Sequence, residues 1–356
     1  MIYENFRRGI NIGGWLSQYE FLAEQPLTEE HLRQHWDTFI METDLKQIAK
    51  WGFDHVRLPV SGYFLYNREE GVLNPTALDY IKKCIQWCSN TKLNLVLDLH
   101  DLWGNVYGAM EVPMPLLTEE KLKLNFFTIW EELTKACKGI YDIKILFELL
   151  NEVSDATGYL WNRMYKEAIR RIRKIDEQRM ILVGSNCQNS VAYLNQLDLV
   201  EDPLVFYNFH YYEPQVFTHQ RAGFSEEMCE FNQVVTYPGD ISDFVTYLEE
   251  HPQYQMKYAL VAKETKNDSE LMRQLLAAAS DFVQYSGKEL YCGEYGVINQ
   301  APPKEAEKWM DDLNEFFEQK KIGCALWNYK TLDFGLLHMD GTVVSEELLQ
   351  HIQKKL

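Results

Sequence analysis

The chain has 356 residues, 46% of them hydrophobic and 13% aromatic, and 35 Lys and Arg stand against 53 Asp and Glu for a formal net charge of −18. That is enough apolar material for a large core, and so acidic a balance repels nucleic acid and anionic lipid, which sets both aside as partners and leaves a neutral substrate compatible. No stretch approaches the roughly 18 consecutive apolar residues of a membrane span, and Met1 to Asn11 lacks the apolar run of a signal peptide. The sequence therefore reads as cytoplasmic, or as secreted if a leader has been removed. Seven scattered cysteines without C-x-x-C spacing fit reduced thiols better than a disulfide framework or a zinc site. Cys84 and Cys88, four apart, read as two core residues on one helix face.

Taken in order, strand alternates with helix. Arg8 to Gly13 (RGINIG) is a first strand, Met41 to Trp51 a helix, and Phe53 to Val60 (FDHVRLPV) a second strand. Asn74 to Ser89 has helical apolar spacing, with Asn74 as N-cap and Pro75 at the first helical position. Leu93 to His100 (LNLVLDLH) is a third strand, followed by a long helix from Thr118 to Cys137 opened by the capping pattern Thr118-Glu119-Glu120-Lys121. Ile145 to Glu152 (ILFELLNE) begins as a buried strand and ends in two polar residues that burial alone would not place there. A helix from Tyr159 to Asp176 leads to strands Met180 to Ser185 and Leu204 to His210. A helix from Ser269 to Tyr285 precedes the last two strands, Glu289 to Glu294 and Ile322 to Trp327. Eight strands with helices between most of them predict a (β/α)8 TIM barrel, a single domain over residues 1–356. The connection after the sixth strand is too long for a plain barrel unit, so residues 211–266 are expected to form an insertion subdomain at the catalytic face. Of its many aromatics, most should pack its own small core, with Tyr212 and Phe217 assigned to a binding cleft.

In such barrels chemistry gathers at the C-terminal ends of the strands. The polar or aromatic residues there are Arg57, His100, Asn151, Glu152, His210, Tyr212, Glu294 and Trp327. His210 and Tyr212 are two apart and share a side if the strand persists, as do Asp98 and His100. Glu152 and Glu294, on different strands, suit glycoside hydrolysis, in which one carboxylic acid protonates the departing sugar oxygen and the other attacks the anomeric carbon or activates water. Trp15, Trp103, Trp327 and Tyr212 would offer apolar faces to sugar rings. Glu148, inside the strand, reads as a structural partner for a barrel arginine. His31 and His35 lack the glutamate of an H-E-x-x-H site, and no Gly-rich nucleotide motif is present, so no metal and no cofactor is expected.

RGINIGGWLSQ (Arg8 to Gln18), HWDTFI (His35 to Ile40), GFDHVRLPV (Gly52 to Val60), LVLDLHD (Leu95 to Asp101), FELLNEV (Phe147 to Val153), YNFHYYEP (Tyr207 to Pro214), LYCGEYGV (Leu290 to Val297) and ALWNYK (Ala325 to Lys330) together resemble glycoside hydrolase family 5, and within it the compact clostridial endoglucanases. The resemblance implies Glu152 as general acid/base and Glu294 as nucleophile. It implies Asn151 on the sugar 2-hydroxyl, and Arg57 and Tyr212 on the nucleophile's carboxylate. His210 would lie near the acid/base, His100 in the −1 subsite and Trp327 as its floor. It further implies retention of configuration, with the carboxyl groups about 5–5.5 Å apart.

The expected activity is that of a retaining endo-β-1,4-glucanase acting on β-glucan or cello-oligosaccharides, the protein being a monomer. The competing readings are an exo-acting β-glucosidase or β-1,3-glucanase, a mannanase, and a carbohydrate-binding barrel without catalysis.

Overall fold

The computed structural model describes residues 1–105 and 114–356. Eight parallel strands close into a barrel: β1 (Arg8–Asn11), β2 (His55–Ser61), β3 (Asn94–Asp101), β4 (Ile145–Glu148), β5 (Met180–Gly184), β6 (Val205–Tyr211), β7 (Leu290–Tyr295) and β8 (Gly323–Leu326). Each strand pairs with its sequence neighbours, and β1 closes the ring by pairing with both β2 and β8, Gly9 lying opposite His55 and Ala325. This is the (β/α)8 barrel expected from the alternation of elements, with each strand within a few residues of its sequence range. Both faces of a barrel strand are covered, which explains why these strands read as near-continuous apolar runs.

The two-residue period of the strands sorts the interior into layers. At the N-terminal end Val96, Leu146, Leu182 and Tyr291 form an apolar layer, closed from below by Ile2 and Phe6 of the N-terminal segment. Two residues further along several strands the interior becomes polar, with Asn11, Arg57, Asp98, Glu148 and Asn208 all fully buried. The helices outside build the larger core. Helix Pro75–Thr91 starts at Asn74, whose side chain accepts from the Thr76 N–H with Pro75 at its first position. Cys84 and Cys88 are both buried on its inner face.

Two helix expectations need correction. The long third helix starts at Glu120, and Thr118 ends a separate turn, Pro115–Thr118, whose hydroxyl bonds back to Pro115 O, so the anticipated capping pattern caps nothing. Ser269 to Tyr285 is two helices, Ser269–Leu275 and Ala277–Ser286, parted at Leu276. An apolar period survives such a break because both pieces pack on the same core.

Between β6 and β7 the chain forms helices Gln215–Thr218, Glu226–Phe231, Ser242–Glu250 and Pro252–Gln255, and a short antiparallel pair of Gly239–Asp240 with Lys266–Asn267. Phe231, Phe244, Tyr247 and Tyr258 pack on one another with ring centroids 5.1–6.0 Å apart. Phe217 is fully buried against Tyr237, so its place is in packing and not in a cleft. Tyr237 in turn donates to Asp312 Oδ2 at 2.7 Å, tying this segment to helix Pro303–Lys320. Among the described residues no helix is long and apolar enough to cross a membrane.

The barrel floor yields a direct test. A Cβ on Gly323 would lie 1.9 Å from the backbone oxygen of Phe6, where no side chain can swing aside. Gly323→Ala should destabilise the fold by about 1–3 kcal/mol, the usual cost of overpacking, read as a lower urea midpoint with an unchanged slope. An unchanged midpoint would show that the N-terminal plug yields freely.

Candidate active site

The site is built on one side chain. Arg57, on β2, is completely buried, and every nitrogen of its guanidinium is engaged. Nε and Nη2 grip the Glu148 carboxylate at 2.7 and 3.0 Å, a bidentate pair. Nη2 also donates to Asn151 Oδ1 at 2.9 Å and lies 3.0 Å from Asp98 Oδ2. Nη1 donates to Asn11 Oδ1 at 3.0 Å and to Glu294 Oε1 at 2.7 Å. Glu148 is thus the structural partner that its place inside the strand suggests, and its other support is Asn208 Nδ2 at 2.7 Å.

Glu294 owes its aim to the backbone before it. The register of β7 against β6 shifts between Cys292 and Glu294, a bulge of the kind that re-aims a side chain beside an active site. Gly293 within it donates its N–H to Asn208 Oδ1 at 2.8 Å and accepts from Asn11 Nδ2 at 3.0 Å. A Cβ there would come 2.8 Å from Asn208 Nδ2 and 3.2 Å from His210 Nε2, so the bulge needs glycine. Tyr212 Oη donates to the second carboxylate oxygen, Glu294 Oε2, at 2.9 Å. Burial opposes ionisation of Glu294, but the positive potential of His210, Arg57 and His100 and the Tyr212 hydrogen bond outweigh it. Its pKa falls below the ordinary carboxylate value.

Glu152 stands beyond the end of β4, where Asn151 N still bonds across to Leu99 O on β3. Its own φ is 48°, a left-handed conformation that non-glycine residues hold only when the surroundings impose it. The carboxylate is partly exposed, in contrast to the 8% exposure of Glu294. Its Oε1 is 3.0 Å from Nδ1 of His210, and the same nitrogen is 3.7 Å from Glu294 Oε2. One carboxylate oxygen from each glutamate and a ring nitrogen of His210 lie within 4.8 Å of one another. Such a trio could in principle ligate a cation. Both oxygens of Glu294 are already bonded, one of them to a buried guanidinium whose charge opposes a second cation, so the donor set is that of an ion-paired carboxylate.

Trp327 is buried and stacks on His100 with centroids 5.9 Å apart and planes 5° from parallel. Gly13 lets it lie close, since a Cβ there would be 2.6 Å from the indole. His100 Nδ1 is 2.8 Å from Asp98 Oδ2, which fixes the ring's orientation. All eight residues picked out at the strand ends therefore converge on one face.

The other aromatics expected near sugar do not all reach it. Trp15 is fully buried among the helices, stacked on Trp87 at 5.7 Å with its N–H on Trp36 O. Trp103 is half-buried, with Tyr63 against its edge and Arg68 4.8 Å over its ring. His31 and His35 are no metal pair: their ring nitrogens bond to Pro26 O and Gly14 O.

The family model for cellulase, glycosyl hydrolase family 5, matches residues 22–333. The chain belongs to glycosyl hydrolase family 5. It is 36% identical over 352 residues to endoglucanase C of Acetivibrio thermocellus, covering 99% of both chains. It is 31% identical over 344 residues to cellodextrinase A of Ruminococcus flavefaciens, covering 96% of this chain and 91% of that one. Among solved structures, an endoglucanase from the hyperthermophilic Thermotoga maritima superposes with a TM-score of 0.74 at 21% identity, over 98% of this chain and 99% of that one, a likeness of fold.

Sequence reasoning passed over Asn11 and Asn208, which hold Arg57, Glu148 and the Gly293 peptide. Asn208 precedes His210 by two and shares its side of the strand, which is the signal that could have found it; Asn11 has no such neighbour.

Because the Tyr212 hydrogen bond is stronger to ionised than to protonated Glu294, Tyr212→Phe should raise that pKa. Wild-type kcat/KM should hold its acid side down to below about pH 4.3, the ordinary carboxylate value. In Tyr212→Phe this limb should move to higher pH, because a hydrogen bond that favours the ionised form is lost. A pH profile of kcat/KM that does not move would remove Tyr212 from the control of Glu294.

Proposed function

We propose that this chain is a retaining endo-β-1,4-glucanase in which Glu294 is the nucleophile and Glu152 the general acid/base. The observation that carries the reading is the pairing itself: two glutamates within 4.8 Å through their nearest oxygens, one locked ionised by Arg57 and Tyr212, the other partly open beside His210. Retaining pairs stand about 5–5.5 Å apart, while inverting pairs at roughly 6.5–9.5 Å leave room for a water between them. Oxygens this close support the shorter class.

The chemistry follows from the two environments. A Glu294 oxygen attacks the anomeric carbon as its bond to the leaving oxygen breaks, and Glu152 gives that oxygen its proton. Glu152, now a carboxylate, takes a proton from water, which attacks the same carbon and returns Glu294 as a carboxylate. Arg57 stabilises the charge that Glu294 carries before and after, and Asn151, held by Arg57, is placed for the 2-hydroxyl. Trp327 gives the sugar at the reacting position an apolar floor, oriented by its stacking on His100. No cofactor enters this scheme.

Endo action on β-glucan is supported by the 36% identity to an endoglucanase over nearly the whole of both chains. A second reading, preference for short cello-oligosaccharides, is favoured by the 31% identity to a cellodextrinase. We take residues 211–266 as an insertion subdomain of one catalytic barrel, beside the glutamate pair through Tyr212, with the protein working as a monomer. The charge of −18 suits a neutral polysaccharide and disfavours nucleic acid and anionic membrane.

Products decide between the two readings. Rapid viscosity loss on barley β-glucan, with cellobiose and cellotriose from cellopentaose, is expected; glucose released stepwise with polymers untouched would overturn endo action. Glu294→Ala should lose at least about 10⁴-fold in kcat and regain turnover with azide, giving a glycosyl azide of inverted configuration. Near-native activity in that variant would remove Glu294 from the nucleophile's place. Glu152→Ala should lose far more on cellopentaose than on an activated aryl cellobioside, because only the poor leaving group needs a proton.

A further inference from the structure

His210 faces the two glutamates with Nδ1, and its other nitrogen is held by a residue to which nothing so far gives a role. Asn189 is fully buried, and its Nδ2 lies 3.0 Å from His210 Nε2. It belongs to the segment Asn186–Asn189 after β5, in which Cys187, Gln188 and Asn189 have φ of 51°, 60° and 55°. Three successive non-glycine residues in the left-handed region persist only where the surroundings impose them, and such runs gather at functional sites. Here the ties run to the loop that carries Glu152. Gln188 N–H donates to Val153 O at 3.0 Å, Asn186 Oδ1 accepts from Asp155 N–H at 2.7 Å, and Ser190 bridges to His210. Gly184 makes room for the amide, since a Cβ there would lie 2.4 Å from Asn189 Oδ1.

We propose that Asn189 is a positioning residue for the acid/base: its amide holds Nε2 of His210 and keeps Nδ1–H directed at Glu152 in both charge states of the imidazole. The inference rests on the reading of Glu152 as acid/base. A neutral His210 with its proton on Nδ1 needs a donor at Nε2, which the amide NH2 supplies. An imidazolium needs an acceptor there, which the amide oxygen supplies after a half-turn about Cβ–Cγ. Oδ1 of Asn189 is buried and has no hydrogen-bond partner among the described residues, so the second half of this pairing stands unused in the neutral arrangement. The charged groups facing His210 are Glu152, Glu294, Arg57 and Glu148. Burial works against charging the ring, yet the charge of Glu294 and the hydrogen bond with Glu152 outweigh it, so the imidazolium is favoured relative to an ordinary histidine. Both charge states are then within reach during a cycle in which Glu152 alternates between acid and carboxylate.

The test uses Asn189→Gly, which keeps the left-handed backbone and removes the amide, and Asn189→Asp, whose carboxylate accepts only and favours the imidazolium. Nitrogen-15 NMR of the histidine-labelled wild type, recorded above the pH at which His210 becomes neutral, should show the remaining proton on Nδ1 with Nε2 accepting; an Nε2–H tautomer would overturn the proposal even if both variants failed to fold. In Asn189→Gly, kcat on cellopentaose should fall about ten-fold with KM within two-fold, a fraction of a full general-acid effect, and the loss on the aryl cellobioside should be smaller. In Asn189→Asp the imidazolium should persist to higher pH, and the alkaline limb of kcat/KM should move to lower pH because a nearby cation favours ionised Glu152. Folded variants with wild-type histidine titration and wild-type pH limbs would sink the proposal. If Glu152→Ala shows its leaving-group dependence while these variants do not respond, the role of Asn189 alone falls; if Glu152→Ala shows none, the acid/base reading falls first.

Discussion

A fully buried guanidinium is the constraint from which the catalytic face follows. Taking Arg57 out of water is tolerable only because its nitrogens are satisfied by Asp98, Glu148, Glu294, Asn11 and Asn151. Removing one partner of such a buried pair typically costs 3–5 kcal/mol, since the remaining charge is stranded. One positive charge against three carboxylates leaves the cluster short of cations, and the protein answers with His100 on Asp98 and His210 between the glutamates. Burial and the neighbouring Asp98 push Glu148 upward, while Glu294 falls. The two acids differ in what surrounds them: Glu294 feels the positive potential of both His210 and His100 and also receives the Tyr212 hydroxyl. The same arginine therefore serves as a structural clamp on one side and as the group that keeps Glu294 ionised on the other.

The eight strands were legible because barrel burial on both faces makes each one a short apolar run, and because the runs end in residues that burial would not choose. Glu152 and Glu294 stood out for that reason, as did Arg57 and His210. The motif resemblance assigned roles that spacing could not. What stayed hidden was tertiary. Trp15 looks like a cleft aromatic from its position beside Gly13-Gly14, yet it turns into the helix shell and finds Trp87 and Trp36. Phe217 follows Tyr212 by five residues and turns away to pack on Tyr237. Period alone predicts one helix from Ser269 to Tyr285, since a break at Leu276 leaves the buried face intact. Asn189 carried no signal at all, because left-handed loop geometry has no periodic trace in sequence.

Backbone strain on this face is distributed in a way that matches the division of labour. Glu294 comes from a strand, aimed by a glycine bulge whose N–H and C=O are both satisfied. Glu152 comes from a loop, in a left-handed conformation, and the neighbouring left-handed run at Cys187–Asn189 is laced to that loop by Gln188 and Asn186. On the proposed assignment, Glu294 as nucleophile must present one oxygen along one line, which a strand position in a rigid network provides. Glu152 as acid/base must serve a leaving oxygen and later a water, and its partly exposed carboxylate against a histidine suits both.

This separation also explains where specificity resides. Apart from Asn151, just past the end of β4, the network from Asn11 to Glu294 is made by interior barrel residues and touches no long loop, so on the proposed reading it holds the reacting carboxylate in the same way for any sugar that reaches it. Tyr212 is the exception. It lies one residue past the end of β6, donates to Glu294, and is packed by His219 and Phe334, with ring centroids 5.0 and 5.8 Å away. His219 belongs to the segment that runs on to Lys266, and Phe334 to the loop after β8. Changes in either loop reach Glu294, the proposed nucleophile, through this one ring. The two loops and the Glu294 carboxylate are therefore joined at a single side chain.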